Sequence, residues 1–322
     1  FSVAGVLVVI ESWFSSRATN ANRGALFAVY QIVFYLSAAG GQLLINVGEP
    51  SSFIPFSLAA VLLTLALIPL SLTRMDAPVI EQSERLSFFT LARESFSGVS
   101  GALICGVMIG SFYALGPVYA TLVGLEVSRV STFMASAIVA AMILAWPLGL
   151  VCDRFDRRRV MFWVAVTAGT AAVLVGIFGA ERTWLLTLLV GLFTGLSATL
   201  YPIAVAITND RMESNRIVAA SATLLLSYGV GSVIGPIVMA ELVGILGPRG
   251  LFFGNAGFLV VLAVITSYRI SHTEDVPVAE QEHFIPAMPE TSSVLTEMDP
   301  RNEGFHESPA AQELHEDLLK TG

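Results

Sequence analysis

The stretch GLVCDRFDRRR, from Gly149 to Arg159, concentrates charge in a chain that is otherwise apolar. Six of its last seven residues are charged, whereas the whole chain of 322 residues is 55% hydrophobic and 13% charged. Apolar runs flank it on both sides, from Ser131 to Val151 and from Val160 to Gly179, and each is long enough to cross a bilayer. The stretch therefore predicts a tight, charged turn between two membrane helices.

The rest of the chain predicts repeated membrane spans. A mean hydropathy of +0.74 is far above that of water-soluble globular proteins. Eight complete spans are predicted from runs of about 20 apolar residues: Ala25 to Ile45, Phe53 to Leu72, Val99 to Val123, Ser131 to Val151, Val160 to Gly179, Trp184 to Ile207, Ile217 to Met239 and Leu251 to Ile270. A ninth, Phe1 to Phe14, is short and begins without methionine, so we interpret the chain as N-terminally incomplete. A signal peptide is the alternative, but the basic region and the cleavage site that it requires are missing.

Arginine placement predicts the orientation, because loops that stay in the cytoplasm are enriched in basic residues. One side of the predicted spans collects Arg17, Arg23, Arg74, Arg85, Arg93, Arg154, Arg157, Arg158, Arg159, Arg211, Arg216 and Arg269. The other side collects Arg129, Arg182 and Arg249. We therefore expect the first side, and the C-terminus with it, to face the cytoplasm.

Two segments outside the spans differ from them in composition. Residues 74–98 contain SERLSFFTLARESF, in which apolar residues alternate with charged ones at helical spacing, and this favours an interfacial helix over a merely solvated linker. Residues 271–322 carry twelve acidic and two basic residues, with few aromatics, so we expect a disordered acidic tail.

An internal repeat predicts two bundles. NRGALFAVYQIVFY and NRIVAASATLLLSY each start a span at an Asn-Arg pair, and each places a tyrosine twelve residues after the arginine. The offset of 193 residues is about the length of a six-helix half. We expect residues 1–73 to be the remainder of an N-terminal bundle and residues 99–270 to be a C-terminal six-helix bundle.

The charged turn resembles the signature of the major facilitator superfamily, which joins the second and third helices of each half. Gly149, Val151, Asp153, Arg154, Arg157 and Arg158 occupy its positions, while Asp156 stands where a second glycine is usual. Aspartate tolerates a left-handed turn, so the departure predicts a tight or strained turn. The resemblance implies an all-α polytopic membrane fold of which this chain holds about nine transmembrane helices, the fourth to the twelfth.

Further stretches fit this register. ESW, NRG and DRFDRR together are similar to the YcaD-like branch of the superfamily. IESWFSSRATNANRG resembles the junction of the fourth and fifth helices, with Glu11, Arg23 and Gly24 in its roles. GVGSVIGP places Gly231, Gly235 and Pro236 in the eleventh helix, where small residues such as these and Gly149 permit close helix packing.

The resemblance implies a secondary active transporter that works by alternating access. We expect a gating network in which Asp153 caps the helix beginning near Gly24, Glu213 pairs with an arginine of residues 154–159, and Glu11 pairs with Arg23 or Arg17. Alternatively, the arginines serve only topology and lipid headgroups. Proton coupling would need Glu11 or a carboxylate from helices that precede Phe1.

Polar and aromatic residues near the middle of the spans are candidates for a substrate cavity: Gln31, Tyr35, Tyr113, Tyr201, Ser227 and Tyr228. They suit a neutral or amphipathic small molecule. Ordinary interhelical packing is the alternative for each of them. The repeat relates Tyr35 to Tyr228.

Other functions have little support in the sequence. The four histidines lie in the tail, and Cys105 and Cys152 have no CxxC spacing, so we expect neither a metal, nor a cofactor, nor an enzyme site. The basic residues follow membrane sidedness, which argues against nucleic-acid binding. We expect a monomer in the bacterial inner membrane, surrounded by lipid. The alternative is a membrane sensor or scaffold without transport, whose acidic tail recruits a partner.

Overall fold

The chain folds into α-helices throughout the part that the structure describes. The computed structural model describes residues 2–19, 22–49, 51–72, 87–179, 182–212, 216–273, 276–278, 281, 284 and 287–289. Within these residues the helices are α1 (Ser2–Arg17), α2 (Arg23–Leu44), α3 (Ile54–Leu72), α4 (Phe88–Glu94), α5 (Phe96–Leu122), α6 (Val127–Cys152), α7 (Arg157–Phe178), α8 (Thr183–Asn209), α9 (Ile217–Leu246) and α10 (Gly250–His272). A 3-10 turn, Ile45–Val47, extends α2.

Seven of the described helices are long and apolar enough to cross a membrane, namely α2 with its 3-10 turn and α5 to α10. The other two predicted spans correspond to α1 and α3. The 16 residues of α1 extend about 24 Å, which is less than the ~30 Å of a hydrocarbon core. In α3 the apolar stretch is the shorter segment Ile54–Pro69.

Helices α5 and α8 form the centre of a six-helix bundle. Helix α5 packs against α9, α8 and α10, and α8 also packs against α6 and α7. The main cluster of buried apolar side chains lies among these helices. Helix α2 lies against α6, and the amide of Asn46 donates a hydrogen bond of 2.7 Å to the hydroxyl of Ser131. Helix α2 and its 3-10 turn therefore form a wall beside α6.

Glycines bring α5 and α9 into backbone contact. A Cβ atom on Gly231 would lie 2.0 Å from the carbonyl oxygen of Leu103, and one on Gly235 would lie 2.5 Å from that of Val107. Pro236 follows within the same continuous helix. At this crossing only a hydrogen atom fits, which is the close approach that small residues allow between membrane helices.

The segment before the six-helix bundle is partly helical. Helix α4 buries Leu91, but Phe89 is exposed, so only part of the predicted apolar stripe faces protein. A carboxylate oxygen of Glu94 lies 3.4 Å from a guanidinium nitrogen of Arg216, which ties α4 to the start of α9. The earlier part of the predicted stripe, residues 73–86, lies outside the described residues.

Part of the C-terminal segment packs on the bundle. Helix α10 ends at His272, and beyond it Phe284 and Ala287 lie against the core while Met288 is only 3% exposed. Met288 is thus buried, and Phe284 and Ala287 are partly buried, although the segment is acidic on average. The disorder predicted for residues 271–322 as a whole stays a prediction. Residues 290–322 lie outside the described part of the chain.

Candidate functional site

A buried ion pair joins the charged turn to the end of α8. Arg157, the first residue of α7, donates through Nη1 to a carboxylate oxygen of Asp210 and to the carbonyl of Ala206 at 3.3 Å. Both charged side chains are almost fully buried. A buried charge is tolerated when it is paired and hydrogen-bonded, so this contact holds the end of α8 against the start of α7.

Asp156 caps α7. Its carboxylate accepts hydrogen bonds from the backbone N–H groups of Arg158 at 2.6 Å and Arg159 at 3.3 Å. The φ angle of Asp156 is −53°, which lies outside the left-handed region, so the backbone at this residue does not show the strain that the sequence predicted. The carboxylate satisfies N–H groups that have no partner within a first helical turn, which explains why aspartate fits where the signature usually has glycine.

The same end of the bundle gathers further arginines. Arg158 donates to the carbonyl of Thr273 at 3.3 Å, which links the start of α7 to the end of α10. Burial lowers the pKa of Arg211, and the nearby positive charge of Arg269 adds to this effect, while Asp156 and Asp210 oppose it. We call the end of the bundle that carries Arg157, Arg158, Asp210 and Thr273 the arginine-rich face; Arg154 and Arg159 are exposed there.

Three predicted partners in this network, one acid and two arginines, cannot be compared with the structure. Glu213 lies outside the described residues, as do the side chains of Arg17 and Arg23. The predicted contacts of these residues therefore stay predictions. Within the described part, the carboxylate on Arg157 is Asp210, three residues before Glu213. Sequence reasoning missed it, although an acid directly after the predicted span Trp184 to Ile207 was a usable signal.

Asp153 contacts the C-terminal segment. Its Oδ1 accepts a hydrogen bond of 2.6 Å from the backbone N–H of Phe284. The ring of Phe284 also lies beside Gly149, where an added Cβ would come within 3.1 Å of it. Gly149 thus provides room for a tail side chain, a neighbour that the sequence signature did not suggest.

Glu11 is buried between α1 and α2. Its Oε1 accepts a hydrogen bond of 2.6 Å from the hydroxyl of Tyr30, and Tyr30 also packs edge-to-face on Phe14. Tyr30 was missed, since one more tyrosine on an apolar helix carries no distinctive pattern. The carboxylate of Glu11 therefore faces the neighbouring helix α2.

A small cavity lies between α2 and the six-helix bundle. Its walls include Tyr35, Tyr113, Ala137, Ala141, Thr194 and Ala198, which come from α2, α5, α6 and α8. Tyr35 and Tyr113 each lie nine residues before the end of their helix, about 14 Å at the helical rise and thus near the middle of a bilayer core. Pro289 of the C-terminal segment completes the lining.

The remaining space in this cavity is about 20 Å³, which is room for about one water molecule. Small-molecule sites are usually several hundred Å³. The cavity in this conformation is therefore nearly filled by the protein itself.

The structure separates the six predicted cavity residues. Tyr35 and Tyr113 line the cavity, whereas the rings of Tyr201 and Tyr228 pack edge-to-face on each other with centroids 5.6 Å apart. The hydroxyl of Ser227 donates to the carbonyl of Thr223 in its own helix, and Gln31 is buried on α2. The assignment of these six residues to a substrate cavity stays a prediction.

A larger groove of about 760 Å³ runs between α7 and α10. Val173, Val260 and Val264 line it, and all three are exposed on the outside of the bundle. Such a surface faces lipid in a membrane protein, so size alone does not make this groove a substrate site.

Metal-binding clusters and paired thiols are not found in the described ranges. No three His, Cys, Asp or Glu side chains come together there as a metal ion would require. Cys105 and Cys152 are both buried, and neither forms a disulfide within the described residues.

Comparison with known proteins identifies the family. The family model described as Major Facilitator Superfamily matches residues 98–309. The chain belongs to the major facilitator superfamily. A protein of Escherichia fergusonii, named uncharacterized MFS-type transporter YcaD, is 30% identical over 285 residues, which cover 86% of this chain and 71% of the relative.

Other superfamily relatives agree. YcaD of Escherichia coli O9:H4 is 32% identical over 278 residues, covering 84% of this chain and 70% of the relative. The MFS-type transporter Ent638_1421 of Enterobacter sp. strain 638 is 32% identical over 246 residues, covering 74% of this chain and 62% of the relative. The predicted resemblance to the YcaD-like branch and the all-α polytopic fold are confirmed. This superfamily member is an integral membrane protein, and its relatives point to a transporter rather than an enzyme.

Proposed function

We propose that the protein is a secondary active transporter that moves a small molecule across the bacterial inner membrane by alternating access. The observation that carries the proposal is the cavity between Tyr35 of α2 and Tyr113 of α5. In the superfamily these helices belong to different halves, and alternating access requires a mid-membrane site at the boundary of two halves. The protein works as a monomer in this proposal, because one chain supplies both walls.

Contacts at the two ends of the bundle serve as gates. Opposite the arginine-rich face, Asn46 after α2 holds Ser131 near the start of α6, and this contact must break for the cavity to open on that side. We place the arginine-rich face and the C-terminus in the cytoplasm, following the arginine distribution. There the ion pair of Arg157 with Asp210, together with Asp153, Arg154 and Arg158, biases the balance between the two open states.

The substrate that suits this lining is neutral or amphipathic. Apart from two tyrosines and Thr194, the lining residues are apolar, namely three alanines, Ile109, Phe112 and Pro289. The Thr194 hydroxyl already donates to the carbonyl of Val190. Aromatic faces with few hydrogen-bonding groups favour apolar rings or chains with a small polar part.

Uptake into proteoliposomes tests the proposal. The full-length protein is reconstituted and offered a panel of radiolabelled neutral and amphipathic metabolites. Accumulation of at least one compound is expected, and Tyr35→Ala and Tyr113→Ala should each lower uptake at least tenfold. Tyr268→Ala is the matched control, because Tyr268 lies exposed on α10. A panel in which no compound accumulates above empty liposomes argues against transport, and equal losses in all three variants argue against this cavity.

Glu11 is the residue that carries the proton if transport is coupled to protons. A buried carboxylate that accepts a hydrogen bond from Tyr30 on the next helix can exchange a proton when the two helices separate. Glu11→Gln should abolish accumulation driven by a pH gradient while leaving exchange of labelled for unlabelled substrate intact. Glu49→Gln, at an exposed position after α2, should change neither. Loss of exchange as well as accumulation in Glu11→Gln would instead assign Glu11 a structural or gating role.

A further inference from the structure

The C-terminal segment runs along the arginine-rich face and reaches the cavity. The carbonyl of Thr273 accepts a hydrogen bond from Arg158, and farther along the chain the N–H of Phe284 donates to Asp153. Pro289 then lines the cavity beside Tyr35 and Tyr113. The described residues of this segment thus pass from the end of α10 to the middle of the bundle.

The lengths agree with this path. Phe284 lies beside Gly149, three residues before the end of α6, while the cavity wall includes Ala141 of the same helix. Eight residues of helix separate these two positions, which is about 12 Å. The five residues from Phe284 to Pro289 can extend up to about 18 Å, so the segment reaches the cavity without stretching.

The described residues at this end of the segment are apolar, unlike the tail as a whole. They are Phe284, Ala287, Met288 and Pro289, whereas residues 271–322 contain twelve acidic side chains. Met288 is 3% exposed, and Ala287 packs against the main core. An apolar segment matches the uncharged lining of the cavity, and with Pro289 in place only about 20 Å³ remains.

We infer that the described end of this segment, Ala287 to Pro289, is a built-in ligand of the transport cavity, which competes with substrate from the arginine-rich face. The inference rests on the proposed function of that cavity. With the segment inserted, substrate cannot occupy the site, and the arginine-rich end cannot close around it. Because the segment is tethered to α10, its effective concentration is on the order of millimolar, so a weak intrinsic affinity is sufficient for high occupancy.

Thiol labelling tests this inference without a known substrate. The reporter is Ala198→Cys in the cavity wall of the full-length protein, with Cys105 and Cys152 replaced by serine. Membrane vesicles are treated with a negatively charged, membrane-impermeant methanethiosulfonate. Phe155→Cys, in the exposed turn after α6, identifies vesicles in which the arginine-rich face is accessible to the reagent.

A charge on the inserted segment should open the cavity. Met288→Asp is expected to raise the labelling rate of the Ala198→Cys thiol at least tenfold, because Met288 is buried directly before Pro289 and a carboxylate does not stay in a buried apolar position. Val278→Asp is the matched control, since it adds the same charge to the same segment at a position that is 42% exposed. It should leave the rate unchanged, and neither change should alter labelling of the Phe155→Cys thiol.

The outcomes separate this inference from the proposed function. An unchanged labelling rate in Met288→Asp overturns the inserted segment, and so does an equal increase in Val278→Asp. Uptake of a solute together with unchanged labelling would overturn the inference and leave the transporter in place. Tenfold faster labelling in a protein that transports no compound would support the inserted segment and count against transport.

Discussion

Helices α8 and α2 have similar compositions and very different surroundings. Their mean hydropathies are 1.8 and 1.4, yet 83% of the membrane window of α8 is buried within the protein, compared with 11% for α2. Helix α8 packs against α5, α6 and α7, whereas α2 packs mainly on α6. Lipid tails are as apolar as leucine side chains, so hydropathy identifies a membrane helix without showing whether lipid or protein covers it.

This difference predicts which substitutions should destabilise the bundle. An apolar side chain gains little by moving from lipid into the bundle. The stability of the bundle must therefore depend on features that lipid cannot replace, namely close backbone contacts, helix caps and buried polar pairs. Substitutions at such features should be costly in the α5–α10 bundle, and substitutions of apolar residues in α1–α3 should be mild.

The largest effect is expected at the buried ion pair. Arg157→Ala leaves Asp210 buried without its guanidinium partner and should lower the free energy of unfolding by about 3–5 kcal/mol. Arg159→Ala, two residues farther along, removes an exposed arginine and should cost less than about 0.5 kcal/mol. Thermal unfolding of the purified variants in detergent measures both, and similar losses would show that the pair does not hold α7 against α8.

The helix crossing should come next. Gly231→Ala places a methyl group against the carbonyl of Leu103 on α5 and should destabilise the protein by about 1–3 kcal/mol. Gly229→Ala is the control, since a Cβ there has nothing within 4 Å, and it should stabilise the helix by up to about 1 kcal/mol. Opposite signs in the same thermal assay are expected; equal shifts would contradict a backbone contact between α5 and α9.

A smaller effect is expected at the cap of α7. Asp156→Ala removes the acceptor for the N–H groups of Arg158 and Arg159 and should cost about 1 kcal/mol. Asp156→Ser keeps a capping oxygen and should be nearly neutral. Asp156→Gly, which introduces the residue usual in the signature, should cost only a few tenths of a kcal/mol. A glycine variant less stable than the alanine variant would show that capping is not the role of this carboxylate.

The sequence was most informative where a local rule acts. The turn at Gly149 to Arg159 and most spans were predicted, because span length and charge placement are properties of short segments. The role of Asp156 was missed since the family signature has glycine there, although an acid directly before α7 is also a helix-start signal. The helix-start signal at Asp156 was therefore present in the sequence, but the resemblance to the family signature was given more weight.

The site was harder to predict, because it depends on which helices meet. Tyr35 and Tyr113 were found as aromatic residues at mid-span, but Ala137 and Ala198 form the opposite wall and have no distinguishing feature in the sequence. The C-terminal segment was judged by its average acidity, which concealed the apolar run from 284 to 289. A shorter window would have revealed that run, but not its place in the cavity.

The smallest effect should occur on α3. Leu63 is 71% exposed, and the packing recorded for α3 is with the 3-10 turn after α2, so Leu63→Ala should change the free energy of unfolding by less than about 0.5 kcal/mol. Leu200→Ala makes the same truncation at a fully buried position of α8 and should cost about 2–5 kcal/mol. Because both helices are apolar, the ratio of the two losses in the thermal assay reports how closely protein packs around each leucine, and not the hydropathy of its helix. A loss at Leu63 comparable to that at Leu200 would mean that protein rather than lipid covers this face of α3, and it would contradict the contrast between the two regions.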